Sequence, residues 1–209
     1  MKNTVLNTYA IIFLSFFFFT GCPENEEDAI MFHIYHSMHE EIKHAVQGTD
    51  LDPSYLAALI SLESHPPGNR KSERFEKNIY ERLVQLKQDG RKFGFIERSS
   101  LNGKSDRELR EFATSYGLTQ IMGFHCIELG CTPEDLKGKY HLQWAAAWMQ
   151  KHYGRKAKQK NWPACFRIHN TGHPGGETYR KDYVERGLAR MAYYNKWIRR
   201  KGNLFSSAE

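Results

Sequence analysis

Asp52-Pro53-Ser54-Tyr55-Leu56-Ala57-Ala58-Leu59-Ile60-Ser61-Leu62-Glu63-Ser64 reads as one short helix with both of its ends marked. Asp52 is a residue type whose side-chain oxygen accepts from the first free amides of a helix, and Pro53 fits the first turn, where a missing N–H costs nothing. His65-Pro66-Pro67-Gly68 then stops the run. Leu56, Leu59 and Ile60 form an apolar stripe, and position 63 continues it at the same helical spacing. The residue there is Glu63. An acid in that place is expected to be largely withdrawn from water and to sit at the negative end of the helix macrodipole. Both effects favour the neutral acid over the anion, which suits a group that donates a proton.

Working outward, the same punctuation recurs. Upstream, Asp28 is expected to cap a helix with apolar positions Ile30, Ile34, Met38, Ile42 and Ala45, closed by Gly48; its His33, His36, His39 and His44 read as solvated or packed side chains. Downstream, a helix is expected over Arg74 to Gln88, with Glu76 on its inner stripe beside Ile79, Tyr80, Leu83 and Leu86. Gly90 to Asn102 is irregular and suits a lid or a small β-hairpin. Ser105 with Glu108 makes a capping box for a helix to Phe112. Further helices are expected from Ser115 to Leu129, around Tyr140 to Gln159, from Asn161 to Asn170, and from the end of a Gly-rich loop (171–177) to about Arg199. No segment shows sustained strand alternation, so the fold class is mainly α.

The N-terminus reads as an address. Lys2 precedes an apolar run from Ala10 to Phe19, which is shorter than the roughly 20 residues needed to span a bilayer. Phe19-Thr20-Gly21-Cys22 resembles a bacterial lipobox, with Phe where Leu is usual. This implies a lipoprotein signal peptide over 1–22 and lipidation at Cys22. Because Pro23 and not Asp follows the cysteine, the resemblance implies the periplasmic face of the outer membrane in a two-membrane host. Residues 23–29 then read as an acidic tether, of which the six from Pro23 to Asp28 reach at most about 20 Å, leaving 30–205 as the catalytic domain. The 209-residue chain carries a net charge of +6, or +5 without Lys2, which suits an anionic polymer but does not choose one. Cys126, Cys131 and Cys165 allow one disulfide and leave one thiol over. With His125 they form no recognised metal-ligand spacing, so no metal or other cofactor is expected. No nucleic-acid motif is present, and nothing in the sequence sets an oligomeric state.

Four segments, in order, resemble the lytic transglycosylases and goose-type lysozymes of the lysozyme-like superfamily. Ala58 to Ser64 is similar to the segment that carries their catalytic Glu. Ser115-Tyr116-Gly117-Leu118-Thr119-Gln120-Ile121-Met122-Gly123 resembles their Ser-x-Gly-Leu-x-Gln-Ile signature. Ile168-His169-Asn170-Thr171-Gly172 stands where they have Tyr-Asn-x-Gly, and Tyr183-Val184 resembles the pair that opens their last helix. Arg74-Phe75-Glu76, Tyr80-Glu81-Arg82-Leu83 and Met122-Gly123-Phe124 look more like phage and bacterial N-acetylmuramidase-type proteins. The resemblance covers roughly residues 50–195.

It implies a lysozyme-like domain that cleaves the β-1,4 bond between N-acetylmuramic acid and N-acetylglucosamine in peptidoglycan glycan strands. Glu63 would be the acid and then the base; Ser115, Gln120, Asn170 and Gly172 would line the saccharide groove; Tyr183 would orient Glu63. His169 and Thr119 depart from the usual residues. A lytic transglycosylase, giving 1,6-anhydromuramoyl ends, needs one acid; a hydrolytic muramidase usually needs a second carboxylate, for which Glu76 is the candidate. The lipoprotein signal favours the former. A non-catalytic peptidoglycan-binding lipoprotein is the alternative from another class.

Overall fold

The computed structural model describes residues 22–64 and 68–206. The apolar signal run and the His65-Pro66-Pro67 stop lie outside them. Among the described residues no helix is long and apolar enough to cross a membrane.

The protein is mainly α-helical. The described residues form eight α-helices: α1 (Glu26–Ala45), α2 (Pro53–Glu63), α3 (Lys77–Asp89), α4 (Asp106–Phe112), α5 (Cys126–Leu129), α6 (His141–Lys158), α7 (Trp162–Thr171) and α8 (Tyr183–Ser206). A small antiparallel sheet runs β1 (Glu73–Phe75), β2 (Thr114–Tyr116), β3 (Ile121–Met122), with β2 in the centre. Arg74 faces Ser115 across the first pair and Ser115 faces Met122 across the second.

α2 is the axis of the main core. Every residue from Ser54 to Ser61 is buried, so the helix is enclosed on all sides by α1, α8 and their neighbours. This corrects the one-sided stripe expected from Leu56, Leu59 and Ile60. Asp52 caps it as expected, accepting from Ser54 N at 2.8 Å. A second, smaller apolar cluster joins α3 and α4 through Leu83, Leu86, Leu101, Leu109 and Phe112, with Phe93 and Ile96 from the loop between them. The sheet lies at the junction of the two.

Several expected boundaries move. The first helix begins before Asp28: Asn25 is its cap, accepting from Asp28 N at 2.9 Å. Asp28 is instead buried against α8, where Lys196 Nζ (2.6 Å) and Trp197 Nε1 (2.7 Å) both donate to its carboxylate. Glu24 pairs with Lys196, and Glu27 with Arg186 and Arg190. The stretch expected as a loose acidic tether is therefore docked on α8 by its own charges. Residues 74–76 do not belong to α3; they form β1 and the helix cap. The expected helix from Ser115 to Leu129 is broken into two strands, a 3-10 turn (Gly123–His125) and the one-turn α5. Gly117 (φ 68°) and Gln120 (φ 51°) both sit in the left-handed region, which no helix tolerates. The small hairpin expected at 90–102 is reduced to one antiparallel bridge, Phe93 to Ile96, closed by a two-residue turn and followed by a 3-10 turn at Arg98–Leu101.

Candidate active site

Glu63 is the last residue of α2 and is half-buried. The expected withdrawal of this acid from water is partial: α2 is enclosed up to Ser61, and the carboxyl emerges where that enclosure ends. Tyr183, the first residue of α8, donates its hydroxyl hydrogen bond to Glu63 Oε1. Tyr183 is buried, and burial together with the Glu63 charge holds its phenol well above the usual range, so it stays a donor.

The end of α2 is also braced by an arginine that sequence reading did not single out. Arg190, 1% exposed, donates from Nη1 to the Ser61 carbonyl (2.7 Å) and Ser61 Oγ (3.0 Å), while its Nε pairs with Glu27. Ser61 C=O is one of the four carbonyls that a helix end leaves without an internal partner. Ser64 closes the same end, with its amide (3.2 Å) and hydroxyl (2.9 Å) both on the Ile60 carbonyl. A cation at this helix terminus offsets the macrodipole two residues from the acid.

Next to Glu63 lies a buried hydrogen-bond chain. His169 Nε2 meets the Thr119 carbonyl at 3.0 Å, so that nitrogen carries the proton and Nδ1 accepts from Tyr153 OH at 3.1 Å. Tyr55 OH in turn donates to Tyr153 OH at 3.0 Å. Burial lowers the His169 pKa, with the nearby Glu63 charge acting in the opposite direction. Thr119 is held on its other side by His141. The His141 Nδ1 donates to Leu136 C=O (2.8 Å), leaving Nε2 to accept from Thr119 N (3.2 Å) and Oγ1 (2.9 Å). The two residues that depart from the family pattern, Thr119 and His169, are thus bonded to each other. Tyr153 reaches this chain from a kink in α6, where its backbone leaves the helical region (φ −143°).

Beside this chain opens a cleft of about 270 Å³ lined by β3 and the following turn (Gln120 to Met122, Phe124, His125), α6 (Trp148, His152) and the end of α7 (Ile168, His169, Gly172). It contains no carboxylate and is largely apolar and aromatic. Trp148 Nε1 is a buried donor with no acceptor among the described residues.

The remaining expected site residues divide. Gln120 and Gly172 line the cleft; Asn170 is exposed and outside its lining. Ser115 is buried rather than open to the groove, and its hydroxyl donates to Gln120 Oε1 at 2.8 Å, while Gln120 Nε2 donates to Gly117 C=O at 2.9 Å. Ser115 therefore positions Gln120. Glu76 is not on the inner stripe of α3: it is the residue before that helix, and its carboxylate pairs with Arg74 Nε at 2.6 Å. Cys126, Cys131 and Cys165 are all free thiols. Sequence reading also missed a cluster of His125, Glu128 and His152 on the cleft wall, because two of its members lie in a stretch read as ordinary helix and the third in another element.

The fold and site define a mainly α protein with a half-buried acid, Glu63, at the end of an enclosed helix, near an aromatic cleft. No family model matches the chain, and no curated protein sequence matches it. Among solved structures, the crystal structure of Burkholderia AP3 phage endolysin aligns at 18% identity with a TM-score of 0.49, covering 82% of this chain and 71% of that one.

Proposed function

We propose that this protein cleaves the β-1,4 bond between N-acetylmuramic acid and N-acetylglucosamine in peptidoglycan, as a lytic transglycosylase with Glu63 as its acid and base. The observation that carries the reading is the Glu63 carboxyl itself. It is half-buried, with one oxygen engaged by Tyr183 and the other left for proton transfer. In this scheme Glu63 protonates the glycosidic oxygen as the bond from C1 breaks. The carboxylate then removes the proton of the muramoyl 6-hydroxyl as that oxygen bonds to C1, giving a 1,6-anhydro end. Holding the nucleophile on the same sugar supplies the effective concentration that an activated water would otherwise need.

A hydrolytic muramidase is the second reading, and Glu76 is the residue that would favour it. Its pairing with Arg74 supports a one-acid mechanism instead. Mass spectrometry of muropeptides released from purified sacculi separates the two. The transglycosylase reading expects anhydro ends from both wild type and Glu76→Gln; reducing ends that vanish in Glu76→Gln would establish the hydrolase. The protein is further proposed to be held at the cell envelope through a lipid on Cys22, which is exposed.

A further inference from the structure

We propose that His125, Glu128 and His152 form a binding site for one divalent transition-metal ion of the zinc type on the wall of the cleft. His125 closes the 3-10 turn before α5, Glu128 lies within α5, and His152 comes across from α6. His125 Nδ1 is 2.8 Å from Glu128 Oε1, and His152 Nε2 is 2.7 Å from the same oxygen. The three ligand atoms all lie within 4.8 Å of one another. Two imidazoles and a carboxylate are a donor set of three-ligand zinc sites, which keep a further position for water or a substrate atom. Imidazole ligands select zinc, nickel or copper over magnesium and calcium.

As the cluster stands, each ring donates an N–H to the shared carboxylate oxygen. The ion would take the place of those two protons. Each proton moves to the other nitrogen of its own ring, so the neutral rings lose none, and the lone pairs of His125 Nδ1 and His152 Nε2 turn to the metal. His125 Nε2 and His152 Nδ1 make no hydrogen bond among the described residues, so the change of tautomer breaks no other bond. Ligand atoms around a tetrahedral ion stand about 3.3 Å apart, given metal–ligand bonds of about 2.0–2.1 Å. The two histidine–carboxylate separations would widen by about half an ångström, and the two imidazole nitrogens, within 4.8 Å of each other, would close by up to about 1.5 Å. The carboxylate is held from behind, with Lys151 Nζ 2.9 Å from its other oxygen, Oε2. Such outer contacts fix a ligand's orientation, and Lys151 is itself half-exposed and free to turn into solvent. Both imidazoles line the cleft, so the open position of the ion would be reachable from it.

The site brings its own reporter: the Trp148 ring centroid is 4.7 Å from that of His125 and 4.8 Å from that of His152. The purified protein is titrated with Co²⁺ while visible absorption and tryptophan fluorescence are followed, and Zn²⁺ is then added. The expected result is one equivalent of saturable Co²⁺ binding with ligand-field bands, quenching of fluorescence, and displacement by Zn²⁺ but not by Mg²⁺. His152→Ala and Glu128→Gln, checked for native circular dichroism, should each weaken binding by about 10–100-fold or more. α1 offers a competing surface through the exposed His33 and His36. A His33→Ala/His36→Ala variant should therefore bind as wild type does. Absence of saturable binding, or binding unchanged in folded His152→Ala, would overturn the proposal.

Discussion

Tyr183 and Arg190 sit on the same face of α8 and act on the same helix end, but they should fail differently when replaced. Tyr183→Phe removes only the hydroxyl on Glu63 Oε1. It should lower kcat about 10–100-fold through loss of orientation, while the thermal midpoint stays nearly unchanged; equal losses in kcat and midpoint would make Tyr183 a packing residue. Arg190→Met leaves Glu27 short of its buried partner and the Ser61 carbonyl without its donor. Breaking a buried ion pair from one side costs about 3 kcal/mol, to be read as a lower urea midpoint at constant slope. Gly117 is a third kind of position. Its φ is 68°, and a Cβ there would come within 2.7 Å of the His141 ring. Left-handed strain of about 1–3 kcal/mol adds to that clash, so Gly117→Ala should destabilise by at least about 2 kcal/mol and loosen the turn that carries Thr119 and Gln120. Glu63 and Tyr183 were legible as a pair of candidate residues from their motifs alone. Arg190 was not, because a lone arginine in a helix carries no sign of burial until the acid that faces it, Glu27, is brought alongside.

At the scale of elements, most helix caps were legible, Asp28 excepted, and the sheet was not. Asp52, the Ser105–Glu108 box and Asn161 each act on local backbone, so sequence neighbours suffice to identify them. The strands are three, three and two residues long, too short for a period of two to be counted, and β1 exists through pairing with β2 some forty residues away. Glu76 was misplaced for the same reason: β1 takes residues 73–75 out of α3 and leaves Glu76 at its start. The loop from Gly90, read as a hairpin or lid, closes as a minimal hairpin at Phe93–Ile96 and sends Phe95 to stack on His125 at 5.8 Å between ring centroids. The network under the sheet has a pH consequence. His141 is buried as a neutral ring, with its pKa pushed down to about 4, chiefly by burial and further by Arg70, against the opposing Leu136 bond and Glu41 charge. An unfolded chain binds that proton near pH 6.5, so the folded state loses stability as pH falls from there toward 4, by up to about 3 kcal/mol. Urea unfolding at stepped pH should show this slope, and His141→Gln should flatten it while lowering the stability at neutral pH.

Across the whole molecule, α1 and α8 enclose α2, and the charged N-terminal stretch of α1 locks that enclosure. Burial works against ionisation of Glu27 and Asp28, but the bonds from Arg190 and Lys196 outweigh it and hold both carboxylates below their usual range. Their contribution to stability is present above the unfolded pKa and is lost as pH falls through the lower folded values, so acid should release α1 from α8. That docking also alters what the expected tether could do. With Glu24 already bonded to Lys196, Pro23 alone separates Cys22 from the folded body. A lipid on Cys22 would therefore hold the domain against its membrane; Cys22→Ser should move the protein from the membrane fraction to the soluble one. The mainly α class was legible because helices announce themselves locally. The shape of the cleft was not, since its walls come from β3, α6 and α7, which only the fold brings together. The measurement closest to the central claim is the rate at which purified sacculi are solubilised by wild type and by folded Glu63→Gln. Loss of a general acid predicts a fall of about 100–10,000-fold, with sacculus binding retained; solubilisation by Glu63→Gln at the wild-type rate would contradict the assignment of Glu63 and with it the proposed reaction.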